Sequence, residues 1–169
     1  MNQKNIAIIG FMGAGKSSIS KLLAKLLNRK IACLDDLIEE KEGRKISDIF
    51  KDSGEAYFRK MESQIIEEVS QKKNLIIDCG GGAVINPKNI EHLKKNSVLI
   101  YLSASPEVIY ERIKQERHRP LLQIQNPQEK INELLSAREA FYKKADFVID
   151  TDKKIPEEIC AEIVKVLQQ

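Results

Sequence analysis

The sequence predicts an α/β fold, a three-layer sandwich with a central five-stranded parallel sheet covered by helices on both faces. Two observations lead there. Short, near-continuous apolar runs alternate with segments of helical period along the chain, which is how strands buried on both faces read. Three of the helical segments open on a capping residue followed by proline, so the residues themselves mark where helices begin.

Taken in order, the first strand is Asn5–Ile9, entirely apolar after its first residue. A glycine-rich turn follows, and beyond Lys16 the residues Leu22, Leu23, Leu26 and Leu27 recur at helical spacing and are expected to pack on the sheet. A weaker strand is expected at Ile31–Asp35, and stronger ones at Leu75–Cys79, Ser97–Leu102 and Phe147–Asp150. Asn86-Pro87, Ser105-Pro106 and Asn126-Pro127 each open a helix, and Ile155–Leu167 reads as a last amphipathic one. Right-handed crossovers between parallel strands close the layered arrangement. Only the stretch from Glu116 to Asn126 keeps no period: it starts charged and carries Pro120. A loop of that kind is either a functional lid or a disordered excursion. With no repeat, low-complexity tract or linker, the chain reads as a single domain over residues 1–169.

Composition narrows the function classes. A chain of 169 residues with 42% hydrophobic and 31% charged residues can bury one core and is neither fibrous nor disordered. A formal charge of +3 is too small to argue for nucleic acid, and no basic stripe with interleaved aromatics occurs. It suits an anionic ligand if part of it converges on a cleft. No apolar run approaches the roughly 18 to 20 residues of a membrane span, and Met-Asn-Gln-Lys-Asn leads straight into a strand without a signal-peptide core. Cys33, Cys79 and Cys160 are widely spaced and there are only two histidines, so neither a zinc site nor a disulfide framework follows. A reducing, cytoplasmic setting is expected, with no membrane partner.

The chemistry begins at Gly10-x-x-x-x-Gly15-Lys16-Ser17, which follows a strand and precedes a helix. Glycines let the backbone curl so that consecutive N–H groups face phosphate oxygens, and the helix N-terminus adds its positive dipole end. Lys16 is expected to reach the β- and γ-phosphates and the Ser17 hydroxyl to ligate Mg²⁺. No Asn-Lys-x-Asp sequence of a switch GTPase is present. Ligands of open α/β sheets bind beyond the carboxyl ends of the strands. Those ends carry Asp35-Asp36, Asp78-Cys79-Gly80-Gly81-Gly82 and the phosphate loop itself.

Five further motifs sit in register with that loop: Gly43-Arg44-x-Ile46-x-Asp48-Ile49-Phe50, Gly54-Glu55-x-x-Phe58-Arg59-x-x-Glu62, Gly80-Gly81-Gly82-Ala83-Val84, Arg119-Pro120-Leu121-Leu122 and Arg138-x-x-x-Tyr142. Together they resemble the shikimate kinase family, within the nucleoside-monophosphate-kinase-like group of P-loop kinase folds, from about Lys4 to Pro156. The resemblance implies ATP as phosphoryl donor and shikimate as acceptor, with Mg²⁺, in a monomer. It implies a substrate-binding helical segment at about 33–61 and a lid at about 112–126. It implies that Gly13, Ala14, Gly15, Lys16, Ser17 and Ser18 bind ATP, with Arg112 and Pro156 on the adenine side and Arg119 as the lid arginine on the transferring phosphates. It further implies that Asp35 holds the acceptor hydroxyls, that Arg59 and Arg138 clamp the acceptor carboxylate, and that Gly80, Gly81 and Gly82 let backbone approach it. Phe50 and Phe58 resemble the pocket's apolar wall, and Glu62 would orient Arg59 one turn along the helix. Lys16, Asp35 and Arg119 are the expected catalytic residues.

The chain departs from that family at one named place. The usual Asp-x-Asp after the second strand reads Cys33-x-Asp35 here. A neutral thiol is a poor ligand for Mg²⁺, which prefers carboxylate and water oxygens. Asp78, closing the strand Leu75-Ile76-Ile77, is the candidate to take over in the metal shell beside Ser17, with Asp36 as the other. The alternatives to a shikimate kinase are a related kinase acting on another hydroxy acid or polyol, and a nucleotide-binding regulator that has lost turnover through Cys33.

Overall fold

A computed structural model of the chain describes residues 4–114 and 125–168. Five strands, β1 (Asn5–Ile9), β2 (Lys30–Cys33), β3 (Leu75–Asp78), β4 (Ser97–Ser103) and β5 (Phe147–Asp150), form one sheet in the order β2-β3-β1-β4-β5. Every pairing is parallel. The connecting helices are α1 (Lys16–Leu27), α2 (Leu34–Glu42), α3 (Ile46–Ser70), α4 (Pro87–Asn96), α5 (Pro106–Ile113), α6 (Pro127–Tyr142) and α7 (Pro156–Val166). This is the expected three-layer α/β sandwich.

Alternate residues of the central strand serve opposite layers. Ala7 and Ile9 of β1 join Ala32, Ile77 and Leu99 under α2, α3 and α4. Ile6 and Ile8 join Ile76, Ile100 and Ile149 beneath α1 and α7. All ten of these strand residues are buried, and the period-two split is what a sheet covered on both faces requires. A smaller cluster places Phe11 of the phosphate loop against Ile109, Ile113 and Ile131, so α5 and α6 pack on the loop itself.

Several boundaries differ from the sequence reading. The second strand runs from Lys30 and stops at Cys33, which caps α2, so Asp35 stands in the first turn of a helix rather than on a strand. Of the four leucines of α1, Leu23 is fully buried, but Leu26 stands off the Ile19–Leu23–Ala24 stripe and is 58% exposed. Asn86 and Ser105 cap α4 and α5 by accepting from the amides of Lys88 and Val108. Asn126 makes no such bond; its side-chain amide donates to Glu129 instead, and its proline alone starts α6. α3 breaks where Gly54 adopts left-handed backbone, at φ +82°. The lid expected at about 112–126 falls mostly outside the described residues, and Arg119 with it. Among the described residues no helix is long and apolar enough to cross a membrane.

Candidate active site

The carboxyl ends of β1, β2 and β3 open into one cleft of about 470 Å³. Its walls include Gly13, Gly15, Lys16, Ser17 and Ser18 from the phosphate loop, Cys33 and Asp35 from the β2–α2 junction, Asp78, Gly80 and Gly81 beyond β3, and Arg112 from α5. The sheet order explains the assembly. β1 lies between β3 and β4, so the loop leaving β1 sits beside the chain leaving β3.

The phosphate loop is held tightly. The Ala14 amide donates to the Phe11 carbonyl, and the Lys16 ammonium reaches back 3.0 Å to that same oxygen. Gly13 runs at φ +78°, and a methyl there would meet Ile113 at 2.7 Å, so a side chain is excluded by both backbone and space. Ala14 itself is buried in the core and contributes to the loop through its backbone. Arg112 does not lie idle on the surface. Its guanidinium donates to the Gly13 carbonyl at 3.3 Å and to the Thr151 hydroxyl and carbonyl at 3.1 and 2.9 Å. Glu116, one turn further along the chain, lies outside the described residues.

Three carboxylates crowd the opposite side. Asp78 is 5% exposed; burial pushes its carboxyl above the usual range, a hydrogen bond from Ser17 and the charge of Lys16 pull it back, and Asp36 adds to the rise. Asp35 is exposed to the cleft, yet partial desolvation raises its carboxyl, opposed by Lys16 and reinforced by Asp78 and Asp36. Cys33 is the register partner of Asp78 across β2 and β3. Burial pushes its thiol up to about 11, so the sulfur is protonated at neutral pH. Cys33, Cys79 and Cys160 are all free thiols.

Arg59 and Arg138 flank the triple glycine. Arg59 donates to Glu62 at 2.9 Å and to Glu55 at 3.2 Å. A methyl on Gly82 would lie 2.5 Å from the Arg59 guanidinium, so this approach depends on glycine. Glu62 is 1% exposed; one carboxylate oxygen holds Arg59 and the other, Oε1, has no hydrogen-bond partner among the described residues. Burial raises the Glu62 carboxyl, Arg59 lowers it, and Asp35 raises it further. Arg138 lies over the Phe11 ring and reaches the Gly81 carbonyl at 3.4 Å. Phe58 is buried and packs on the half-exposed Phe50 with ring centroids 4.7 Å apart. Pro156 opens α7 on an exposed surface and does not line the cleft.

Sequence reading had assigned no part to Thr151, Glu55 or Phe11. Thr151 acts through its carbonyl as well as its hydroxyl, and Phe11 through its carbonyl as well as its ring; the carbonyls leave no mark in a sequence. Glu55 stands one turn before Arg59, and that spacing alone could have revealed it.

The donor set fits a hard cation in its chemistry. A serine hydroxyl and a buried carboxylate meet at the phosphate loop, near the charge of Lys16. Among the described residues no group of three or more His, Cys, Asp or Glu could hold a metal alone. Mg²⁺ characteristically keeps waters and phosphate oxygens in its shell rather than filling a protein cage.

Comparison with known proteins converges on one family. The shikimate kinase family model matches residues 12–168. A shikimate kinase of Thermodesulfovibrio yellowstonii is 48% identical over 96% of this chain and 94% of its own length. The solved structure of a shikimate kinase from Acinetobacter baumannii in complex with shikimate superposes with a TM-score of 0.92 at 34% identity, covering 98% of this chain and 93% of that one. The crystal structure of the Aquifex aeolicus shikimate kinase gives a TM-score of 0.86 at 35% identity, covering 97% of this chain and 96% of that one.

Proposed function

This chain belongs to the shikimate kinase family, and from that premise we propose that it transfers the γ-phosphoryl group of ATP to the 3-hydroxyl of shikimate. The product, shikimate 3-phosphate, serves aromatic amino-acid (chorismate) biosynthesis. One observation carries the reading: the phosphate loop, Asp35 and the glycines after β3 share a single cleft, so donor and acceptor can meet in it.

Phosphoryl transfer asks for positioning and electrostatics, and each residue has a part in that. The amides at the start of α1 and the Lys16 ammonium would neutralise the phosphates. Ser17 and Asp78 would hold Mg²⁺, which supplies charge neutralisation to the phosphate oxygens when bound. Asp35 would orient the attacking hydroxyl; its raised carboxyl range brings it nearer to neutral pH as a proton acceptor. Arg59 and Arg138, planar forks on either side of the triple glycine, suit a bidentate grip on a carboxylate. Glu62 keeps Arg59 aimed. Arg119 would bring its charge to the transferring phosphates, and Arg112 would serve the nucleotide side.

The Cys33 thiol on the cleft wall supports one second reading, a kinase of the same architecture with another hydroxy-acid acceptor. Coupled ADP release with MgATP tests both, with shikimate, quinate, gluconate and homoserine compared against a no-acceptor control. Turnover on shikimate alone is expected. Turnover on another acceptor and none on shikimate would favour the second reading, and ATP binding without turnover would reject both.

A further inference from the structure

The mechanism above leaves Tyr142 without a role, although it is among the largest fully buried side chains of the protein. Its hydroxyl donates to the Gly81 carbonyl at 2.8 Å. Its ring stacks on Tyr101 of β4 with centroids 4.7 Å apart and planes within 4°. Tyr101 is the register partner of Ile9, the last residue before the phosphate loop. Tyr142 is thereby braced against the sheet at the point where β1 delivers that loop.

Arg138 stands one turn earlier on α6 and reaches the same Gly81 carbonyl at 3.4 Å. Two side chains of one helix thus converge on one oxygen, the tyrosine at an ordinary hydrogen-bond length and the arginine at the outer limit. An arginine that is to grip a substrate carboxylate must be free to leave, and the carbonyl it leaves must not be stranded. We propose that Tyr142 is a positioning residue for the acceptor site, holding the Gly80–Gly82 turn through the Gly81 carbonyl so that Arg138 can turn to the acceptor carboxylate without the turn collapsing. This rests on the acceptor reading given above. Burial pushes the Tyr142 hydroxyl up to about 12, with Arg138 pulling it back, so the group remains a donor at any working pH.

Tyr142→Phe keeps the ring and the stack and removes only the donor. The shikimate KM is expected to rise about fivefold, the worth of one hydrogen bond, with kcat down less than twofold and the ATP KM unchanged. Shikimate binding by calorimetry should weaken by the same factor. A purely structural tyrosine would lower the melting temperature and leave both KM values alone, and that result would overturn the inference. Should Tyr142→Phe not fold, Tyr101→Leu loosens the brace while sparing the hydroxyl. It is expected to raise the shikimate KM about twofold, and an unchanged value would likewise overturn the proposal. Wild-type protein that turns over no shikimate at all would instead sink the acceptor reading itself.

Discussion

Cys33 and Asp78 stand side by side at the carboxyl ends of β2 and β3, paired in register. The end of β2 holds a protonated thiol, and the adjacent strand end holds a carboxylate beside Ser17. Asp78→Asn should therefore weaken Mn²⁺ binding, read by electron paramagnetic resonance, about tenfold or more. Adding Cys33→Asp to that variant should restore much of the loss. Binding that ignores Asp78→Asn would reject its place in the metal shell.

A carboxylate placed for a cation is uncomfortable without one. Because burial raises the Asp78 carboxyl, the folded protein binds that proton more tightly than the unfolded chain does. Its contribution is most favourable below the ordinary value of 3.8 and declines as pH rises from there through the raised folded value. At pH 7 without metal, Asp78→Asn should raise the melting temperature. The gap should close as the pH is lowered toward 3.8. Equal melting curves at neutral pH would show that the burial is harmless.

Gly82 lies at φ −101°, which any residue adopts, so Gly82→Ala strains no backbone. Its methyl would displace the Arg59 guanidinium, now 2.5 Å from that point. The expected result is a shikimate KM about tenfold higher with a melting temperature within about 2 °C of wild type. A large loss of stability with an unchanged KM would contradict this account.

Arg112 ties the phosphate loop to the chain leaving β5 by three hydrogen bonds. Arg112→Ala should raise the ATP KM about fivefold to tenfold and leave the shikimate KM within about twofold. An effect on shikimate alone would place Arg112 on the wrong side of the cleft.

The Cys33 thiol, raised to about 11, should alkylate slowly at neutral pH although it borders the cleft. The thiolate is the nucleophile, so the rate should climb about tenfold per pH unit until the pH nears 11. MgATP should slow the reaction. Rapid labelling at pH 7, located by peptide mapping, would show a thiolate at Cys33.

The legible parts of this protein were local ones. The phosphate loop is a spacing of eight residues, Gly10 to Ser17, whose function depends on backbone that only glycine permits and on one helix N-terminus. The layered fold followed from apolar runs of strand length between helical periods, since burial on both faces imposes that pattern. Boundaries were less secure. Ile31–Asp35 looked like a strand by its apolar start, yet a helix claims Leu34, which is fully buried, and carries Asp35 into its first turn.

What no local pattern held is who faces whom across the cleft. Tyr142 and Gly81 are 61 residues apart, and Arg112 and Thr151 are 39 apart. Cys33 meets Asp78 only because β2 and β3 are neighbours in the order β2-β3-β1-β4-β5. Residue type and spacing set the chemistry each strand end could offer, because glycine backbone, helix caps and apolar periods act within a few residues. Sheet order and helix packing chose the partners, because contact across the cleft depends on where separate elements come to rest on a shared core.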